Sequence, residues 1–253
     1  MKDCFVLRFN LENMVNPDTL DRTGALAAIF GIDKADLQES VGYYEERLQQ
    51  LADTVNKDKV QAAREKFAGK KIAFFGDSLT SDRLSYANII KSLNIFEKVD
   101  IYAVSGSVSS QMIRSFAQKV KSDSYDFVSM FIGTNDSALT DVDLPFVSPE
   151  EYRRNLSYAA KCIKEMGKQG ICFKLPYHKE RTFTNGQVIT QEYNDVIEHI
   201  AQCSKFDVIE LNNNELRYID DNVHFVDITQ RDIAEYFINH LITKGETLCY
   251  DHL

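Results

Sequence analysis

The segment KIAFFGDSLTSD, residues 71–82, places Ser78 where a short apolar run gives way to a polar one. A serine at such a junction can act as a nucleophile, because the unpaired N–H groups and dipole of a helix start favour a developing negative charge. The same serine can be a plain helix cap, and a Ser/Thr-rich loop of this kind can also cradle a phosphate. Near the other end of the chain, DDNVH (220–224) sets Asp221 three positions before His224. That spacing lets a carboxylate hold one imidazole nitrogen and leave the other facing a serine. Between them lie VSGSVSS, where Gly106 allows close backbone approach to a ligand, and GTND (133–136), where Asn135 carries an amide donor. Taken singly, each is an ordinary loop feature; donors, base and orienting group converging on one point would be acyl-transfer chemistry.

What could bring them together is the pattern from residue 70 onward: short apolar runs, each followed by a polar loop and a helical stretch. The runs are KIAFF (71–75), VDIYAV (99–104), YDFVSMFI (125–132), GICFKL (170–175) and FDVIEL (206–211), suited to strands buried on both faces. Helices are expected over 148–168, with Ser148 and Glu151 forming a capping box, over 190–204 starting at Thr190, and from about Thr229. Alternating strands and helices imply a parallel α/β sheet covered on both faces, with ligands outside the carboxyl ends of the strands. Ser78, Gly106 and Asn135 all fall in loops after strands, and Asp221 and His224 precede the last helix.

Residues 1–66 break this pattern and form a mostly helical N-terminal extension to a domain over 67–253. CFVLRFN (4–10) alternates as a strand would, while 18–30 and 33–55 have helical spacing, the latter capped by Asp33. Ala27, Gly31 and Leu37 match the small, glycine and apolar positions of a helix-turn-helix. However, Asp33–Arg47 carries five acidic residues against two basic ones, which argues for packing, subunit pairing or a protein partner instead of DNA.

The 253-residue chain is 44% hydrophobic and 26% charged, the composition of a folded globular protein, and its net charge of −9 disfavours nucleic acid. The N-terminus lacks the uninterrupted apolar run of a signal peptide, and no stretch approaches the roughly 18 apolar residues of a membrane span. Five widely spaced cysteines without a C-x-x-C pair speak against a disulfide framework or zinc site and make a cytoplasmic location the simplest expectation. No cofactor or metal is implied.

GDSLT, Gly106, GTND and DNVH, in that order, resemble the four blocks of the SGNH or GDSL hydrolases, a family of esterases, lipases, thioesterases and acyltransferases. The resemblance covers about residues 70–245. It implies a flavodoxin-like three-layer α/β/α sandwich with a five-stranded parallel sheet. Its site would have Ser78 as nucleophile, His224 as base and then acid, and Asp221 as orienting group, with an oxyanion hole from the N–H groups of Ser78 and Gly106 and the Asn135 amide. The chain departs from the pattern at Val104 and Ser109, where the family usually has Asn and Gly, at Asn222, usually Gly, and in its N-terminal extension. The expected reaction is cleavage of a small-molecule carboxylic ester or thioester through an acyl-serine. Acyl transfer to a sugar or other alcohol is the alternative, and a non-catalytic phosphate-binding module the alternative from another class. Tyr177, Leu144 and Phe146 are candidate pocket walls or, equally, buried loop anchors. His178 also falls on the active face, and activity is expected to fall in acid as His224 protonates.

Overall fold

The computed structural model describes residues 8–9, 21–122, 124–177 and 190–247. Its centre is a five-stranded, wholly parallel sheet in the order β2-β1-β3-β4-β5, made of β1 (Lys71–Gly76), β2 (Lys98–Ala103), β3 (Phe127–Phe131), β4 (Gln169–Phe173) and β5 (Asp207–Ile209). These are the five expected runs: β3 and β5 are shorter than expected, β1 runs on to Gly76, and β2 and β4 each begin one residue earlier and end sooner. Parallel neighbours require crossovers, and helices supply them on both faces to give the expected three-layer α/β/α sandwich. Ile72 through Phe75 are almost wholly inaccessible, which is why β1 shows no polar alternation.

Register positions the site. Gly76 at the end of β1 lies opposite Ala103 of β2 on one side and Phe131 of β3 on the other. The loops after these three strands therefore leave the sheet at one level, side by side. Beneath them the core is aromatic: Phe131 and Phe173 stack at 4.7 Å, and Phe173 stacks on Phe237 at 5.9 Å.

The N-terminal helices are α1 (Arg22–Phe30), α2 (Lys34–Asp53) and α3 (Lys57–Lys66). Asp33 caps α2 through Ala35 N–H as expected, and Gly31 ends α1 in the left-handed region at φ 64°. Helix α3 is started by Asn56, whose side chain accepts from the N–H groups of Asp58 and Lys59, a cap that sequence reading passed over. Leu26, Leu37, Tyr44, Leu51, Val60 and Phe67 belong to the same apolar cluster as the sheet residues. The strand expected over 4–10 is not found in its described part, since Arg8 has helical backbone and Phe9 lies in a turn. Arg8 is anchored by its side chain instead of by a ladder.

Of the remaining helices, α4 (Ser78–Ser81), α5 (Tyr86–Ser92) and α6 (Ser109–Ser122) flank the first half of the sheet. Helices α7 (Pro149–Glu165) and α8 (Gln191–Ser204) flank the second, and α9 (Asp227–Thr247) packs against α3 and α5. Ser148 caps α7 through Glu151 N–H at 3.2 Å, as expected. Helix α8 starts after Thr190 as expected, without a capping bond from the threonine side chain. Arg47 of α2 pairs with Asp227 at the start of α9, and Lys59 of α3 pairs with Glu235 at 3.1 Å. No helix of the described residues is long and apolar enough to cross a membrane.

Since α2 shares its core with the sheet, Leu51→Ala should lower the unfolding free energy of the whole chain by about 2–5 kcal/mol. Chemical denaturation followed by both circular dichroism and tyrosine fluorescence should show one shifted transition instead of a separate early loss of helix.

Candidate active site

The sharp turn after β1 brings Asp77, not Ser78, to the helix cap: its carboxylate accepts Leu79 N–H at 3.0 Å. Ser78 is thus the first residue of α4, and its hydroxyl points to His224, with Oγ 2.8 Å from Nε2. Expectation had left open whether Ser78 is itself the cap, and the neighbouring aspartate takes that role. Nδ1 of His224 faces Asp221 Oδ2 at 2.5 Å, and the other carboxylate oxygen accepts the backbone N–H groups of Val223 and His224 at 2.8 and 2.9 Å. Asn222 turns this loop at φ 55°, a left-handed angle that asparagine tolerates. Burial opposes ionisation of Asp221, but the hydrogen bonds from His224 and Val223 outweigh it and hold the carboxyl below its ordinary range.

The second and third loops are tied to one another. Asn135 Nδ2 donates to the Ser107 carbonyl at 3.0 Å, which sets its amide beside the Gly106 turn. Gly106 has φ 75°, a conformation that few L side chains adopt. Gly133, at φ 130°, has no room for a Cβ, which would lie 2.6 Å from the Tyr152 hydroxyl. Asp136, passed over in the sequence although it is the acid of the GTND block, carries the main link. Its two carboxylate oxygens accept Ser109 N–H at 3.0 Å each, and Ser109 Oγ donates to Oδ1 at 2.5 Å while accepting from Asn155 Nδ2 at 2.9 Å. The serine that departs from the family pattern at position 109 is therefore a buried strut between the two loops. Burial pushes Asp136 up to about 6 despite the donors from Ser109.

Leu144, Phe146 and Tyr177 are 63, 59 and 60% exposed, so none is a buried anchor of its loop. The Tyr177 N–H is held by Asn213 Oδ1 at 2.8 Å. His178 lies outside the described residues. A cleft of about 590 Å³ opens at the Gly106 loop, with Gly76, Tyr102, Val104, Ser107 and Met112 among its lining residues. Sequence reading did not mark it, because it combines strand ends with one face of α6.

No protein-family model matches the chain, and no curated protein matches it in sequence. Solved structures do match in fold. An acetyl xylan esterase, AlAXEase, aligns with a TM-score of 0.57 at 18% identity, over 68% of this chain and 99% of its own. A lipase/acylhydrolase from Enterococcus faecalis gives a TM-score of 0.54 at 21% identity, over 69% of this chain and 96% of its own. A GDSL-like lipase from Bacteroides thetaiotaomicron gives 0.55 at 19% identity, over 77% and 99% respectively.

The raised pKa of Asp136 has a sign that can be measured. Between the ordinary 3.8 and about 6 the folded chain keeps a proton that the unfolded chain has lost, so this group makes stability fall as pH rises through that window. Relative to Asp136→Asn, the wild type should lose on the order of 3 kcal/mol between pH 3.8 and about 6, read by denaturant titration at each pH. Parallel stability curves for the two proteins would show that Asp136 titrates normally.

Proposed function

We propose that this chain is a serine ester hydrolase of the SGNH/GDSL type. The observation that carries the reading is the continuous relay from Asp221 through His224 to the Ser78 hydroxyl, with both imidazole nitrogens engaged. A structural cap or a phosphate cradle has no need of such a relay. The matching structures, which include esterases and lipases, support the same class of reaction.

In the first half-reaction His224 Nε2 takes the Ser78 proton as Oγ attacks the ester carbonyl, and the carbonyl oxygen becomes an oxyanion. The N–H groups of Ser78 and Gly106 and the remaining Asn135 amide proton stabilise that charge. His224 then protonates the departing alcohol, leaving an acyl-serine. In the second half-reaction His224 deprotonates a water, which attacks the acyl carbon, and the proton returns to Ser78 as the acid leaves. Asp221 stays ionised throughout, holding the tautomer with a proton on Nδ1 and stabilising the imidazolium. The cleft at the Gly106 loop borders the Gly106 donor of this oxyanion hole. The domain over 67–253 carries all these groups, and the helices of 1–66 close its core.

A chain-length series of p-nitrophenyl esters tests the reading directly. Ser78→Ala and His224→Ala should abolish turnover above background, and Asn135→Ala should lower kcat about 10²–10³-fold. A fluorophosphonate probe should label the wild type and not Ser78→Ala. Turnover that survives His224→Ala but not His178→Ala would transfer the base to His178. A protein inert to both probe and esters would return Ser78 to the role of a phosphate-loop residue.

A further inference from the structure

The residues nearest the imidazole face come from far upstream. Phe9 is 1% exposed, and its ring centroid lies 4.0 Å from that of His224, the planes inclined by 39°. Its carbonyl oxygen accepts from the Ser105 hydroxyl, and the single Ser81 hydroxyl proton is shared between Ser105 Oγ at 3.0 Å and the same carbonyl at 3.4 Å. Ser81 ends α4, and Ser105 precedes Gly106. The Arg8 carbonyl accepts Arg83 N–H at 2.7 Å. The Arg8 guanidinium donates to Asp82 Oδ2 at 3.3 Å through Nε and Nη2, and Nη2 also donates to the Phe225 carbonyl at 2.8 Å. It lies 5.4 Å from the centre of the Phe9 ring. Two consecutive residues are thus bonded to the nucleophile helix, the Gly106 loop and the histidine loop.

We propose that Arg8 and Phe9 are positioning residues of the hydrolytic site, Phe9 sealing one face of the His224 imidazole from water and Arg8 locking the segment between Asp82 and Phe225. The physical reasoning is short. An imidazole that must carry a proton from Ser78 to a leaving group has to keep one rotamer, and water competing for Nδ1 weakens its bond to Asp221. An aromatic ring packed on the imidazole restricts rotation and excludes water without offering a competing hydrogen bond. The Phe9 carbonyl accepts from Ser105, which in turn is bonded to Ser81, so the same segment spaces the nucleophile helix from the Gly106 loop. This inference rests on the hydrolase reading for its effect on rate, but the shielding of His224 is a property of the fold and can be measured without turnover.

Two readouts on the full chain separate these. Proton NMR should show a downfield Nδ1–H resonance, absent in His224→Gln, and in Phe9→Ala its exchange with solvent should be at least about tenfold faster. Fluorophosphonate acylation of Ser78, normalised to folded protein, should slow by about 10-fold or more in Phe9→Ala, and kcat for p-nitrophenyl esters should fall with little change in KM. Arg8→Lys, which keeps the charge but cannot fork between Asp82 and Phe225, should fall between the two. Phe9→Leu preserves apolar volume without a flat face, so it carries the test if Phe9→Ala does not fold, and it too should exchange faster than wild type. Exchange within about twofold of wild type in the folded Phe9 variants would overturn the proposal, whether or not the protein hydrolyses esters. A wild type with a protected imidazole proton but no reaction with esters or probe would support the shielding and refute the hydrolase reading.

Discussion

The distance between Ser78 Oγ and His224 Nε2, 2.8 Å across 146 positions of chain, is the constraint on which the rest of the structure depends. No local element can hold two side chains so far apart in sequence to hydrogen-bonding tolerance. The parallel sheet does so by register, because strand ends at one level bring their following loops together. The last helix completes the clamp. Gln230, one turn into α9 and six residues beyond His224, donates through Nε2 to the Leu79 carbonyl at 3.1 Å and accepts Tyr86 N–H on Oε1 at 2.9 Å. The helix that follows the histidine therefore grips both sides of the Ser78 turn.

Burial pushes both buried aspartates of the site up, yet they end on opposite sides of the ordinary carboxyl value, and the difference lies in what donates to them. Asp221 is shielded from water but accepts an imidazole N–H and two backbone N–H groups, enough to keep it ionised below the ordinary range. Asp136 accepts from Ser109 and from its own backbone N–H, and burial prevails over them. An orienting carboxylate must remain charged beside an imidazolium, whereas a strut between loops needs only to hold its geometry. The two environments fit these separate demands.

The strands and the four loop residues around Ser78 could be read from the sequence because each lies in a local pattern: a short apolar run, then a glycine, a small polar residue or an aspartate three places before a histidine. Asn56, Asp77 and Asp136 were legible in principle, being capping or acidic residues next to positions already singled out. Arg8 and Phe9 were not. Arg8 looks like an interruption of an apolar run, and its partners are 74 and 217 positions away, a separation that no periodicity encodes. The exposure of Leu144, Phe146 and Tyr177 was likewise hidden, since an apolar residue in a loop looks the same in sequence whether it anchors the loop or faces solvent.

The Arg8–Asp82 pair shows why such a contact is not explained by stability alone. Asp82 is wholly buried, and burial raises its pKa in spite of the guanidinium beside it, so desolvation outweighs the attraction between the charges. Two apolar side chains of similar volume could fill the same space without that penalty. They could not, however, fix an orientation. A planar guanidinium donates along set directions, and here those directions end on the residue that closes the Ser78 helix and on the carbonyl that follows the histidine. The pair acts as a gauge between the two halves of the relay. Its contribution is one of distance, and the energy given up in burying it is consistent with a site in which the placement of an imidazole matters more than the depth of the fold's free-energy minimum.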